Sequence, residues 1–219
     1  MDQLTYYPFE PIKLQAGLNF LTITNANTLW EITSHLREYD EKIVCSDAGK
    51  QLVCSKALIY FGSLNGSFDI NAFFNRQAVK VLIDCLDEEE LRNLYELDCQ
   101  EKTLLTQVIF ENNLPLKIQD TWDSKTAIKD QSIMIDLPQT LSPYDKIGAV
   151  ITIMNELNDH RLLVLTDVWF FLTTDQLTEL AEYAGSLGVK VLFIERQIND
   201  VETSDYIWKT TIDEDFVQF

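Results

Sequence analysis

Hydrophobic residues near the start of the chain change from a strand period to a helix period. The stretch Leu18–Thr24 is a short, mainly apolar and β-branched run after Gly17, which is typical of a strand. Over residues 25–39 the apolar positions recur every three to four residues, as on one face of a helix. Asn27 is the predicted N-cap of this helix. The pattern therefore predicts a strand followed by an amphipathic helix.

A hairpin and a further strand complete the first third of the chain. The segment Lys42–Lys56 contains two short apolar runs around Asp47-Ala48-Gly49, a combination typical of a tight turn. Ala57–Leu64 is predicted as the next strand.

Two helices are predicted in the middle of the chain. The first covers Asn71–Leu86, with Asp69 or Asn71 as its cap. The second runs from about Glu88 to Asn112 and is expected to be interrupted near Asp98 and Gln100. Proline at position 115 prevents any continuation, and residues 113–140 follow no sustained period. That segment has no predicted structure.

Regular periods return in the C-terminal third. A helix is predicted to begin at Ser142-Pro143, because serine caps and proline suits the first helical position. Buried strands are predicted over Arg161–Asp167 and Lys190–Glu195. Between them, Thr173-x-x-Gln176 has the capping-box form, and Gly188 ends the helix. The order strand, helix, strand predicts a βαβ unit.

These elements predict an α/β protein of two domains. The two buried C-terminal strands need neighbours, which the N-terminal strands can provide. We expect an α/β head built from residues 1–66 and 141–219, with a mainly helical leg inserted at 67–140.

The charge balance is strongly acidic, with 17 basic and 35 acidic residues and a formal net charge of −18. This balance argues against nucleic acid binding over the whole surface. It leaves room for a local basic lining, because exposed charges more than about 10 Å apart are screened at physiological salt. No signal peptide or apolar span for a membrane is recognised. Four cysteines without a CxxC pair indicate reduced thiols in a cytoplasmic protein.

No catalytic or nucleotide-binding motif accompanies the strand–helix pattern. Between the first strand and its helix, Thr22–Thr33 contains neither the glycines nor the lysine of a phosphate loop. Asp167 follows a strand as a metal-binding acid would, but alone it is interpreted as a turn residue. His35 and His160 lack ligand spacing and are interpreted as structural. We therefore expect no nucleotide cofactor.

Several stretches together resemble a known family. They include "FEPIKLQAGLNFLTI", "REYD", "FGSLNGSFDIN", "RLLVLTDVWFFLTTDQLTELAEYAGSLGVKVLFIE" and the closing "TIDEDF". In this order they resemble the Csn-type adaptation protein of subtype II-A CRISPR systems. The likeness is clearest over Phe9–Asn71 and Arg161–Phe219 and weak from about Asp87 to Thr140.

The resemblance implies a fold and a function. It implies a head similar to a degenerate P-loop ATPase domain, a helical leg, and a tetrameric ring that binds calcium. It further implies that double-stranded DNA ends enter a basic central channel without catalysis, in support of spacer acquisition. The expected partners are the spacer integrase complex and the RNA-guided nuclease, without a membrane. The acidic exterior of such a ring would keep DNA from binding elsewhere.

Candidate DNA-contacting residues come from placement alone, since the resemblance supplies no basic motif. Two flank the hairpin of the head, and two pairs share helical spacing in the leg. Each has the alternative interpretation of an ordinary solvated residue. The candidates are Lys50, Lys56, Arg76, Lys80, Lys125 and Lys129.

Calcium requires six to eight oxygen ligands, mostly carboxylates and carbonyls. Acids near the expected crossings between head and leg are Asp69, Glu111, Asp120 and Asp123. Helix caps and solvated loop acids explain the same residues equally well. The acidic stretch Ile212–Phe216 is predicted to be a terminal strand with exposed carboxylates instead.

Two other functions stay open at this point. A metal-dependent nuclease could use Asp69, Asp120, Asp123 or Asp167, although no spacing demonstrates a two-metal site. A protein-interaction scaffold of the adaptation complex could keep the head for docking and make no DNA contact.

Overall fold

The computed structural model describes residues 1–66, 69–138, 142–197 and 205–219. Within them the chain forms nine strands, seven α-helices and one short 3₁₀ turn, Val168–Phe170. The strands are β1 Gln3–Tyr6, β2 Ile12–Lys13, β3 Gly17–Ile23, β4 Ile43–Asp47, β5 Lys50–Leu52, β6 Leu58–Ser63, β7 Leu162–Thr166, β8 Lys190–Glu195 and β9 Ile207–Ile212. The helices are α1 Ala26–Glu38, α2 Cys54–Ala57, α3 Ile70–Cys85, α4 Glu88–Glu111, α5 Ser124–Lys129, α6 Pro143–Glu156 and α7 Thr174–Ser186.

A parallel five-stranded sheet joins the two ends of the chain. Its strand order is β6-β7-β8-β3-β9, so N-terminal strands lie beside C-terminal ones. β3 pairs in parallel with β8 on one side and with β9 on the other. The predicted α/β class and the predicted sharing of one sheet by both ends are confirmed.

The sheet is covered on both faces, as the continuous apolar strands predicted. Every residue of β3 and β7 is buried. Helix α1 and the N-terminal strands share one apolar cluster with one face of the sheet. On β3 and β8, Phe20 and Phe193 are fully buried and meet edge to face, with ring centroids 5.3 Å apart. Helix α7 packs against β3, and α6 packs against α7. Because both faces of these strands are buried, their sequences show no alternation of apolar and polar residues.

A second, antiparallel sheet has the strand order β2-β1-β4-β5. Its β4–β5 hairpin turns at Ala48 and Gly49, which both have positive φ angles of 47° and 79°. The predicted turn is therefore confirmed. Strands β1 and β2 are too short and too mixed in polarity to show a period, and the sequence did not predict them.

The first helix begins two residues earlier than the sequence suggested. Asn25 is the N-cap of α1, and its side-chain oxygen accepts hydrogen bonds from the amides of Asn27 and Thr28. The prediction that Asn27 is the cap was wrong, because Asn27 already lies in the first helical turn with its side chain exposed.

Replacing Asn25 by alanine is expected to lower the free energy of unfolding by about 1 kcal/mol, because two amide donors lose their acceptor. Urea titration measures this difference. Asn27→Ala is the matched control and is expected to change it little. Equal losses in the two variants would contradict the assignment of the cap.

The described chain divides into two compact units, Met1–Phe68 with Leu137–Phe219, and Asp69–Asp136. The second unit consists of α3, α4 and α5 with their connections. Asp69 caps α3, as predicted. Helix α4 runs without a break through Asp98 and Gln100, so the expected interruption there was wrong. Its N-terminus has a full capping box between Asp87 and Glu90, which stabilises the first turn of the helix.

Three C-terminal predictions have different outcomes. Ser142 caps α6 ahead of Pro143, and the box of Thr173 and Gln176 caps α7, both as predicted. The acidic stretch Ile212–Phe216 was expected to be a strand, but only Ile212 belongs to β9. The next residue, Asp213, accepts hydrogen bonds from the amides of Asp215 and Val217 and closes a turn instead.

Within the described ranges, no helix is long and apolar enough to cross a membrane.

Candidate nucleic-acid interface

The carboxyl edge of the parallel sheet is where α/β proteins commonly bind phosphates, at the N-termini of the helices that follow the strands. In this chain the amides at the start of α1 already have a partner. The side-chain oxygen of Asn25 lies 3.0 Å from the nitrogen of Asn27 and 3.1 Å from that of Thr28. A phosphate at this position would have to displace Asn25.

The turn after β7 is held in the same way by a buried acid. Glu195, at the end of β8, is 2% exposed. One of its carboxylate oxygens accepts the amides of Val168 at 2.7 Å and Trp169 at 3.2 Å. Burial raises the pKa of Glu195 to about 7, although both amide bonds oppose the rise. Sequence reasoning missed this residue; its only signal was an acid ending a wholly apolar strand.

Asp167 lies next to this turn. Its backbone is left-handed, with φ of 58°, and its side chain is exposed and makes no capping hydrogen bond. The geometry agrees with the interpretation of Asp167 as a turn residue. At this edge, side chains of the chain itself satisfy the amides after β3 and after β7.

The two basic candidates of the first unit border the β4–β5 hairpin. Lys50 is the first residue of β5, and Lys56 lies in the short helix α2. Both side chains are exposed.

The other four basic candidates lie on two helices of the second unit. Arg76 and Lys80 are one turn apart on α3, and Lys125 and Lys129 are one turn apart on α5. All four side chains are exposed. Helices α3 and α5 pack against each other. The sequence predicted both pairs in the leg, and the tertiary structure adds that the two helices that carry them pack against each other.

Two other cations, Lys102 and Arg161, already have partners within the chain. Lys102 lies 2.6 Å from a carboxylate oxygen of Asp98 and also donates to the carbonyl of Thr121. Arg161 forms an ion pair with Asp159. No side-chain hydrogen bond or ion pair joins the six candidates to another described residue. The same holds for four exposed cations that the sequence did not single out: Lys13, Arg92, Lys117 and Arg196.

The four predicted calcium ligands all lie in the second unit, and three of them have local structural contacts. Asp69 accepts the amide of Asn71 as the cap of α3. Asp123 caps α5 through the amide and hydroxyl of Thr126, and these bonds hold the pKa of Asp123 below its ordinary value. Glu111 accepts a hydrogen bond from the side chain of Gln107 at 2.7 Å.

Asp120 differs from the other three, because no hydrogen bond joins it to another described residue. Its charge contributes to raising the pKa of Tyr95 and of Lys102, after the effects of their hydrogen-bond partners Cys99 and Asp98. Among the described residues, no three or more His, Cys, Asp or Glu side chains come together as a metal-binding group. The structure thus does not assemble these four acids into one ligand set, and calcium binding stays a prediction.

The two histidines belong to the first unit. His35 is in the last turn of α1, 3.4 Å from a carboxylate oxygen of Asp40. His160 is exposed in the connection between α6 and β7. The contact of His35 with Asp40 is local to the end of α1 and agrees with a structural role, whereas the role of His160 stays a prediction.

Comparison with known proteins supplies the family. The family model of CRISPR-associated protein (Cas_Csn2) matches residues 36–216, most of the chain. The fold is also similar to the crystal structure of Stu0660 of Streptococcus thermophilus, with a TM-score of 0.55 and 14% sequence identity. That alignment covers 96% of this chain and 74% of the other. The match over residues 36–216 includes the six candidate DNA-contacting residues and the four candidate calcium ligands, and the chain belongs to the Csn2 family of CRISPR-associated proteins, which act in CRISPR adaptation.

Proposed function

We propose that this protein is a non-catalytic adaptation protein that forms a tetrameric ring and binds double-stranded DNA ends without sequence preference. The DNA would enter a basic central channel, in the cytoplasm, together with the spacer integrase complex and the RNA-guided nuclease. Family membership over residues 36–216 is the observation that carries the proposal. The head is proposed to be a degenerate ATPase-like domain without a nucleotide site, which the side-chain capping at the carboxyl edge of the sheet supports.

Helix α4 supports self-assembly. It is 24 residues long and buries none of them within this chain. Leu97, Leu104 and Val108 follow a helical spacing of seven and four residues, so they lie on one face, and Leu105 is beside them. The side chain of Leu97 is 59% exposed, that of Leu104 61%, that of Leu105 47% and that of Val108 44%. A row of exposed apolar side chains of this length is more stable when another surface covers it.

Electrostatics support a channel rather than an outer binding surface. The formal charge of −18 repels duplex DNA from most of the protein. Six exposed cations without an internal partner are available to phosphates, which carry one charge per roughly 1.7 Å of duplex axis. Contacts to phosphates position DNA without reading its sequence.

Assembly and binding are tested together. We expect a tetramer by light scattering, and salt-sensitive binding of linear duplex of unrelated sequences. Covalently closed circular duplex of equal length is expected to bind more weakly, because it has no end to enter a ring. A monomer that binds no linear duplex at low salt would refute the proposal. Cleavage of the duplex with magnesium would favour a metal-dependent nuclease, and binding to the integrase without DNA contact would favour a scaffold.

Leu104→Glu is expected to shift the tetramer toward smaller species, since it places a charge in the exposed apolar row of α4. Light scattering at several protein concentrations measures the shift. Thr103→Glu is the matched control at an exposed position outside the apolar row of the same helix and is expected to keep the tetramer. If Thr103→Glu disrupts assembly equally, the row is not the contact surface.

Calcium binding is proposed for the second unit through Asp69, Glu111, Asp120 and Asp123. Because these acids do not converge in one chain, backbone carbonyls, water or a second copy would supply the other oxygens. Calcium is expected to raise Tm, and Asp120→Asn is expected to reduce that rise. Asp130→Asn, an exposed acid in the same unit, is the control. No calcium-dependent change in Tm would overturn this assignment while leaving the DNA proposal intact.

A further inference from the structure

Two cysteines of the first unit lie closer together than non-bonded sulfur atoms normally do. Cys45 is in β4, and Cys54 is the first residue of α2, at the other end of the β4–β5 hairpin. Their Sγ atoms are 2.9 Å apart. Both are free thiols and buried. Cys54 also donates a hydrogen bond to the carbonyl of Ile43 at 2.9 Å, which holds its sulfur beside that of Cys45.

The separation suits a disulfide better than a shared metal ion. Two thiolates bound to one zinc ion, each at about 2.3 Å in tetrahedral geometry, would have their sulfurs about 3.8 Å apart. A disulfide needs about 2.0 Å, so the observed pair has to close by less than 1 Å. Among the described residues no third His, Cys, Asp or Glu joins the pair to form a metal-binding group.

The backbone segments on either side of the pair are held close together. Cys45 lies opposite Leu52 in the antiparallel pairing of β4 with β5. Helix α2 packs against β4 as well. The two chain segments that carry the sulfurs are therefore held together by backbone hydrogen bonds and by packing, before any covalent bond forms.

We propose that Cys45 and Cys54 are an oxidation site, at which a small peroxide oxidises the two thiols to an intramolecular disulfide. The Cys54 thiol loses its proton, and the thiolate attacks one oxygen of hydrogen peroxide. The O–O bond breaks, Cys54 becomes a sulfenic acid, and the leaving hydroxide takes up the proton from Cys54 to become water. The Cys45 sulfur then attacks the Cys54 sulfur, and the Cys45 proton goes to the leaving hydroxyl, which departs as a second water. Overall, two thiols lose two electrons and two protons, and one peroxide becomes two waters.

Accessibility sets the order of these steps. Cys54 is 8% exposed and Cys45 is completely buried, so a small oxidant reaches Cys54 first. Burial raises the pKa of the Cys45 thiol well above its ordinary value, and its hydrogen bond to Cys54 adds to this effect. Cys45 therefore stays protonated and protected until the sulfenic acid forms beside it. The pair reacts as a unit, whereas an isolated buried thiol would stay inert.

Peptide mapping tests the proposal directly. The purified full chain is treated with hydrogen peroxide, remaining thiols are alkylated without reductant, and the protein is digested with trypsin. Cleavage after Lys50 separates the two cysteines, so the disulfide appears as peptide 43–50 joined to peptide 51–56. We expect this joined species at the mass of the two peptides less about 2 Da, and its disappearance after reduction.

Two variants make the test independent of the other cysteines. Cys85→Ser with Cys99→Ser leaves only the pair and is expected to give the same joined peptides. In this variant the disulfide is expected to raise Tm by about 5 °C, because it closes a short loop of the unfolded chain. Cys54→Ala is expected to abolish both the linkage and the rise in Tm.

One result would overturn the inference. It is recovery of peptides 43–50 and 51–56 as separate alkylated species, under peroxide conditions that fully oxidise the exposed Cys85 of the unmodified chain. The mapping does not involve DNA or assembly, so its outcome is separate from that of the proposed function.

Discussion

Replacing Arg76, Lys80, Lys125 and Lys129 together by glutamine is expected to weaken binding of linear duplex DNA by roughly 10³-fold at 0.1 M salt. Each phosphate contact lowers the slope of log affinity against log salt by about 0.9 and is worth about eightfold in affinity at this salt concentration. Three to four lost contacts give the stated factor. The slope itself is expected to become shallower by about 3. Binding isotherms at four or more salt concentrations measure both quantities.

A matched control separates position from total charge. Glutamine at Lys13, Arg92, Lys117 and Arg196 removes the same number of exposed, unpaired cations. We expect this control to keep most of the affinity, because its four positions are not gathered on α3 and α5. Equal losses in the two variants would show that net charge alone sets the affinity, and the assignment of these helices would fail. An unchanged affinity in the first variant would have the same consequence.

Glu195→Gln is expected to change how stability depends on pH. The pKa of Glu195 in the folded protein is about 7, against an ordinary value of 4.5. The folded state therefore holds a proton that the unfolded state releases over this interval. The contribution of this bound proton to the free energy of unfolding is complete below pH 4.5 and is lost as pH rises through 7. The loss amounts to about 3 kcal/mol, since one pKa unit corresponds to about 1.4 kcal/mol.

Glutamine has the same shape and is neutral at every pH, and its carbonyl can still accept the amides of Val168 and Trp169. The difference in unfolding free energy between Glu195→Gln and the unmodified chain is therefore expected to shift by about 3 kcal/mol in favour of the variant from pH 4.5 to pH 8. Glu182→Gln, at an exposed position of α7, is the control and is expected to show no such shift. A difference that does not vary with pH would show that Glu195 has an ordinary pKa in the folded protein.

Long apolar periods and helix caps were predictable because both depend on neighbouring residues. The strands around Leu18–Thr24, Arg161–Asp167 and Lys190–Glu195 are present in the structure. A mainly apolar run of this length is stable only inside a covered sheet, so its burial follows from its composition. Capping boxes follow from local hydrogen-bonding chemistry in the same way.

The cap of α1 shows why the ends of helices were harder to predict than the helices themselves. Asn25 and Asn27 are chemically identical, and either could cap a helix whose apolar period starts at Thr28 or Leu29. The choice depends on where β3 ends, and its pairing with β8 and β9 fixes that position. These partners are more than 160 residues away, outside any local window.

Strand β9 was not predicted for a similar reason. Its central residues Trp208 and Lys209 are exposed, so the segment shows no apolar run. It lies at the edge of the sheet, where hydrogen bonds to β3 stabilise it rather than burial of its own side chains. Edge strands of this kind carry little signal in sequence.

The sequence by itself determined the α/β class, the missing phosphate loop, the acidic charge and the family, because each depends on residue type and order. Tertiary structure decided which distant residues became neighbours. It placed Glu195 under the amides of Val168 and Trp169 and brought the sulfur atoms of Cys45 and Cys54 to 2.9 Å. Local periods set burial and helix starts, whereas such pairings depend on how strands and helices pack, and that packing raises the pKa of the Glu195 carboxyl and of the Cys45 thiol.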